Sequence, residues 1–203
     1  MKKRKKKTEP APEVAPEAEL SPGLRRFLYF TACLTGGCIL IVEILGAKML
    51  APYLGTSHFV WTAQIAVTLV ALSAGYYAGG WWVDRTQNLN RLFYAIIAAS
   101  VYLCATVPMV KPICLKLMGL PLEVAALLAS AFLFLIPLAL LAMTGPFLVR
   151  MLTERVENVG SNMGRLTAIS TLGSVGGAML IGFVLIPLMP NSVTMLATCS
   201  VLV

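Results

Sequence analysis

The residue best placed to do chemistry is Glu43. It follows sixteen uncharged residues, Phe27 to Val42, and stands in an otherwise apolar run. A carboxylate inside a bilayer is costly, so such a residue is a functional candidate from the outset. The sequence leaves two roles open. Glu43 is either a buried anchor hydrogen-bonded to a neighbouring helix, or a site for a cation, a proton or an amine. Lys48 comes five residues later. Five positions turn a helix by about 140°, so the two are not an intrahelical pair of the i,i+4 kind. Each faces its own partner, or Lys48 snorkels to the interface.

Other reactive side chains are sparse. His58 is the only histidine and lacks the companions a metal site needs, so it reads as a capping or interfacial residue. The five cysteines, at 33, 38, 104, 114 and 199, contain no C-x-x-C pair. In apolar runs a free cysteine behaves as a small hydrophobe, so neither a disulfide framework nor a metal centre is expected. No Gly-rich loop follows a strand and opens a helix with an acid beyond it, so no nucleotide or dinucleotide cofactor site is expected. No Ser/His/Asp set can be assembled. These residues describe a non-catalytic protein without a cofactor.

The elements that position these residues are set by composition. Of 203 residues, 58% are hydrophobic and 12% are charged. A soluble domain averages roughly 45–50% apolar and about 25% charged, and a chain of this size cannot hide the excess in one core. A soluble enzyme, a nucleic-acid module and a disordered protein are excluded. A crossing helix needs roughly 20 apolar residues. The uninterrupted runs suit helices, not the alternating strands of a barrel. The expected fold is all-α: a polytopic transmembrane bundle of five to six helices. The spans fall at about 25–50, 59–83, 91–110, 122–149 and 165–187, with a partial sixth at 192–203. Breaks are expected at Ala51-Pro52-Tyr53-Leu54-Gly55, in the loop holding Lys111, Pro112 and Lys116, and in the polar segment 150–164. The last twelve residues reach only about 18 Å, less than a crossing, so the chain reads as truncated or completed by another element.

Charge gives the direction. Residues 2–7 are all basic: Lys2, Lys3, Arg4, Lys5, Lys6 and Lys7. Residues 8–23 are rich in Pro, Ala and Glu, so 1–23 reads as a disordered tail and 24–203 as the membrane domain. The basic run suits lipid headgroups, at about 1 kcal/mol per cation, better than nucleic acid. With the N-terminus inside, thirteen Lys/Arg lie on the cytoplasmic side, and Lys48, Lys111 and Lys116 lie outside. That bias predicts a multi-pass protein of the inner (plasma) membrane with a cytoplasmic N-terminus.

Small residues mark where helices meet. Gly75 and Gly79 are spaced by four, as are Gly164 and Ala168, and Gly173 and Gly177. Each pair predicts close packing, and the pairs in span five predict burial at a tight interface, within the chain or with another subunit. Gly80, Asp84 and Arg85 lie at the turn after span two, where Asp84 is expected to cap span three or pair with a base. Ser170 and Thr171 are expected to bond to carbonyls, within or across helices. Pro137 and Gly145-Pro146 predict kinks in span four.

Three stretches together carry a resemblance. They are E-I-L-G-A-K-M-L-A-P-Y-L-G-T-S-H-F-V-W from Glu43 to Trp61, G-Y-Y-A-G-G-W-W-V-D-R from Gly75 to Arg85, and Pro137 to Arg150 continued from Gly164 to Pro187. The chain resembles the membrane domain of the fused major-facilitator/spermidine synthase-like proteins over about 25–190. The second stretch also resembles the loop motif between helices two and three of major facilitator transporters. The resemblance implies a major-facilitator-like half. It also implies a transporter-like protein that handles a cationic or amine solute, or anchors a soluble catalytic partner. The pattern departs after Arg85, which is followed by T-Q-N-L-N, and at Ser170, where an asparagine is expected. The aminopropyltransferase-like domain that family members commonly carry is absent from the sequence. A second reading is a structural or accessory subunit of a larger membrane complex, with other membrane subunits as partners.

Overall fold

The computed structural model describes residues 21–86, 88–153 and 159–202. Six helices account for nearly all of them: α1 (Pro22–Leu54), α2 (His58–Arg85), α3 (Leu89–Leu117), α4 (Leu122–Leu152), α5 (Val159–Leu188) and α6 (Asn191–Leu202). Among the described residues there is no strand. The first five are long and apolar enough to cross a membrane. Successive helices run in opposite directions. One end of the bundle therefore gathers Arg25, Arg26, Asp84, Arg85, Arg91, Arg150 and Arg165, and is called the charged end below. Lys48, Lys111, Lys116 and Glu123 lie toward the opposite, far end.

Helix starts follow local chemistry. The Ser21 hydroxyl accepts from the Leu24 amide at 3.3 Å and Pro22 opens the first turn, so α1 begins ahead of the expected tail boundary at 23. Glu123 sits in the first turn of α4, where its charge meets the positive end of the helix dipole.

Three helices outrun their expected limits, each because a feature that breaks helices in water is accommodated. α1 does not break at Ala51-Pro52 but continues to Leu54. Proline at 52 leaves the Lys48 carbonyl without its amide, and the side-chain amide of Asn191, at the start of α6, donates to that carbonyl at 3.3 Å. Gly55, at φ 81°, then ends the helix in a conformation that glycine adopts freely. α3 runs through Pro108, Lys111 and Pro112 to Leu117, so the loop begins near Gly119 and Pro121 instead. The exposed lysines reach outward without ending the helix. α5 starts at Val159, which shortens the expected polar segment.

The prolines within α4 and α5 leave a different mark. A π-helical turn at Ala131–Leu135 precedes Pro137, and another at Leu180–Leu185 precedes Pro187. Each widens the helix where a proline has removed a bond, which localises the disturbance. A second interruption falls at Met143, between the segments Ile136–Ala142 and Thr144–Leu152, near the expected kink at Gly145-Pro146.

α1 is the hub and packs against all five other helices. Its core residues, among them Leu28, Val42, Leu45 and Leu50, are fully buried and meet Phe134, Leu138 and Phe147 of α4 in one cluster. α6 fills the space beside α1 and α3, where Ser100 donates to the Cys199 carbonyl at 2.9 Å. α5 is the outlier. Only 11% of its apolar stretch is buried, against 56% in α1.

Candidate functional site

Two glycine seams set the geometry. Along α2, Gly75 meets the Ala139 carbonyl and Ala142 of α4. A β-carbon at Gly79 would stand 2.8 Å from Met143 Cα. This seam matches the small-residue pair expected there. Along α5, Gly173 meets the Cys33 carbonyl of α1, and Gly177 packs on Gly37. The order 33 to 37 against 173 to 177 makes α1 and α5 parallel. The Ser174 hydroxyl, 3.0 Å from the Gly36 carbonyl, adds a polar stitch.

The second small pair of α5 packs on nothing among the described residues. Gly164 and Ala168 are exposed, and a β-carbon at Gly164 would meet nothing. Nine residues separate Gly164 from Gly173, and also Ala168 from Gly177. That is a turn of about 180°, so the two pairs lie on opposite faces and only one can face α1.

α5 packs mainly on α1 and touches α4 at the charged end, where the Asn162 side-chain amide donates to the Leu152 carbonyl at 2.9 Å, leaving a space bounded by α2, α4 and α5. That space is a half-open vestibule of about 750 Å³. Three walls enclose it. α2 contributes Tyr76, Gly80 and Asp84, a stripe at i, i+4 and i+8. α4 contributes Thr144, Arg150 and Thr153. α5 contributes the hydroxyls of Thr167, Ser170, Thr171 and Ser174. The floor is formed where the buried hydroxyls of Thr35 and Thr144 meet at 3.4 Å. Each also lies on a carbonyl of its own helix, Thr35 on Thr31 at 2.8 Å and Thr144 on Leu141 at 2.7 Å.

The sequence-derived candidates divide between this site and the rest of the molecule. Gly80 and Asp84 are in the wall. Gly80 has open space where a side chain would be, and the Tyr76 ring lies against Gly145 of α4. Asp84 does not cap α3, whose start at Asn88 carries no side-chain cap. Arg91 ties that turn instead by donating to Thr86 Oγ1 at 2.9 Å. Arg85 turns aside and lies over the Trp81 ring at 3.9 Å. Glu43 and Lys48 are half-buried on α1 and do not line the vestibule. Glu43 is eight residues past Thr35, about 12 Å farther along the helix. His58 opens α2, exposed, its ring 4.0 Å from that of Phe59. Lys2 to Lys7 lie outside the described residues.

Two groups were not singled out from the sequence. Arg150 reads as the charge that ends span four, and its place opposite Asp84 emerges only from the packing. Gln64 is fully buried in the far half, its amide laid against Gly46 of α1. Neither amide atom finds a hydrogen-bond partner among the described residues. Only its position as a polar residue inside an apolar span signalled it.

The fold and site together define an all-α bundle of membrane-span helices with a vestibule of mixed polar and apolar lining at its charged end. Comparison with known proteins finds no matching family model, no matching curated protein and no matching solved structure.

Proposed function

We propose that this is a non-catalytic, transporter-like membrane protein that takes a small polar solute into the vestibule. The observation that carries this reading is the vestibule itself. A cavity of about 750 Å³ sets two opposite charges and a row of hydroxyls among apolar side chains such as Val83, Leu148 and Met163. Its volume suits a small molecule. The distribution of Lys and Arg supports an inner-membrane location with the N-terminus in the cytoplasm, and on that orientation the vestibule opens to the cytoplasm. The likeness of the Gly75–Arg85 and Glu43–Trp61 stretches to the spermidine synthase-like family supports a transporter-like role, or service to a soluble catalytic partner.

The test is a ligand panel on the purified protein in nanodiscs: glycine, phosphoethanolamine, spermidine and glycerol 3-phosphate, read by thermal shift. At least one should raise the melting midpoint of the wild type. Gly80→Leu, whose β-carbon meets no atom within 4 Å, should fold normally and abolish that shift. No response from the wild type to any of the four, or an equal response from Gly80→Leu, overturns the reading.

One observation favours the alternative of a subunit in a larger membrane complex. α5 leaves Leu172, Val175, Met179, Phe183 and Leu188 exposed. Purification in mild detergent separates the two. A monodisperse monomer counts against the subunit reading.

A further inference from the structure

We infer that the vestibule selects a zwitterion, a small molecule bearing a primary ammonium and a carboxylate or phosphate, with the ammonium on the α2 wall and the anion on the α4 wall. This rests on the reading of the vestibule as a solute site and names the class of solute.

The α2 wall is built for a cation. Tyr76, Gly80 and Asp84 share one stripe, and Asp84 is the one acid among the lining residues. An ammonium on that stripe is attracted by the carboxylate, and Gly80 leaves room for it there. The α4 wall is built for an anion. Arg150 offers a planar fork of donors that matches a carboxylate or phosphate. The α5 wall carries no charge. Its hydroxyls at Thr167, Ser170 and Thr171 both donate and accept, so they serve either end of the solute.

The balance of charge decides between ligand classes. A polyamine satisfies Asp84 but brings further positive charge toward Arg150. An organic anion satisfies Arg150 but meets Asp84 unfavourably. A zwitterion answers both walls at once, and like-charge juxtaposition disfavours the other two classes. A free solute and the headgroup of an amine-bearing phospholipid share this chemistry, and the vestibule is open enough to admit either.

The same ligand panel, extended to isothermal titration, tests the inference. Phosphoethanolamine or glycine should bind at least about tenfold more tightly than spermidine and glycerol 3-phosphate. Asp84→Asn should remove the preference over glycerol 3-phosphate, and Arg150→Gln the preference over spermidine. Both residues are exposed, so both variants should fold. Nanodiscs of phosphatidylethanolamine and of phosphatidylcholine distinguish the sources. Weaker phosphoethanolamine binding in the former assigns the site to a headgroup, and equal binding assigns it to a free solute. Tightest binding of spermidine or of glycerol 3-phosphate overturns the zwitterion inference and leaves the vestibule reading standing. Silence from all four compounds overturns both.

Discussion

The two glycine seams use the same residue type and the same spacing, yet they hold very different things. The α2–α4 seam lies inside the bundle. Gly75 and Gly79 bring together two helices that are also held by α1, and α4 is packed on α3 as well. The α1–α5 seam lies at the edge. Gly173 and Gly177 fix a helix whose other attachment is to the end of α4, where Asn162 donates to the Leu152 carbonyl, and its outer face is open. A close backbone contact in the first place is a part of the core. In the second it is a mount, and what it mounts is one wall of the vestibule.

Three substitutions sharpen that contrast. Gly75→Val should have the largest effect on stability. The new side chain overlaps the Ala139 carbonyl and Ala142, and neither helix can retreat, so overpacking should cost about 3 kcal/mol. The melting midpoint and ligand response should fall together. Gly173→Val should come next, with the two readouts divided. α5 can move aside into its open flank, so the loss of stability should be nearer about 1 kcal/mol. Ligand binding should nevertheless fall by about tenfold, because the α5 wall moves with its helix. Equal losses in both readouts would show that α5 is integral to the core. Gly164→Ala should have the smallest effect. It faces open space, and replacing a helical glycine should add about 0.5–1 kcal/mol of stability without touching binding.

The number and approximate placing of the spans were legible because bilayer thickness and apolar run length are tied by simple geometry. Helix ends were less so. Pro52 looks like a break, and what rescues the helix is an asparagine 139 positions later in the chain (191 minus 52), which no local pattern reveals. The site was half legible. Gly80 and Asp84 stand out by type and spacing. Their relation to Arg150 and to the α5 hydroxyls depends on which of two opposite small-residue faces α5 turns inward, and the sequence offers both. Glu43 attracted the functional reading because an intramembrane acid is rare and costly. It is half-buried and has no place in the vestibule lining.

The parallel sense of α1 and α5 has an electrostatic consequence. Neighbouring helices that run in opposite directions lower each other's dipole energy, whereas these two lie side by side with like ends together. Nothing in the Coulombic field draws them toward one another. Their cohesion comes from dispersion between closely spaced backbones and from one serine hydroxyl, both of them short-ranged. The attachment of α5 should therefore be indifferent to ionic strength and sensitive to bilayer lateral pressure. A lipid mixture that squeezes the bundle should hold the vestibule wall in place more firmly than any change of buffer.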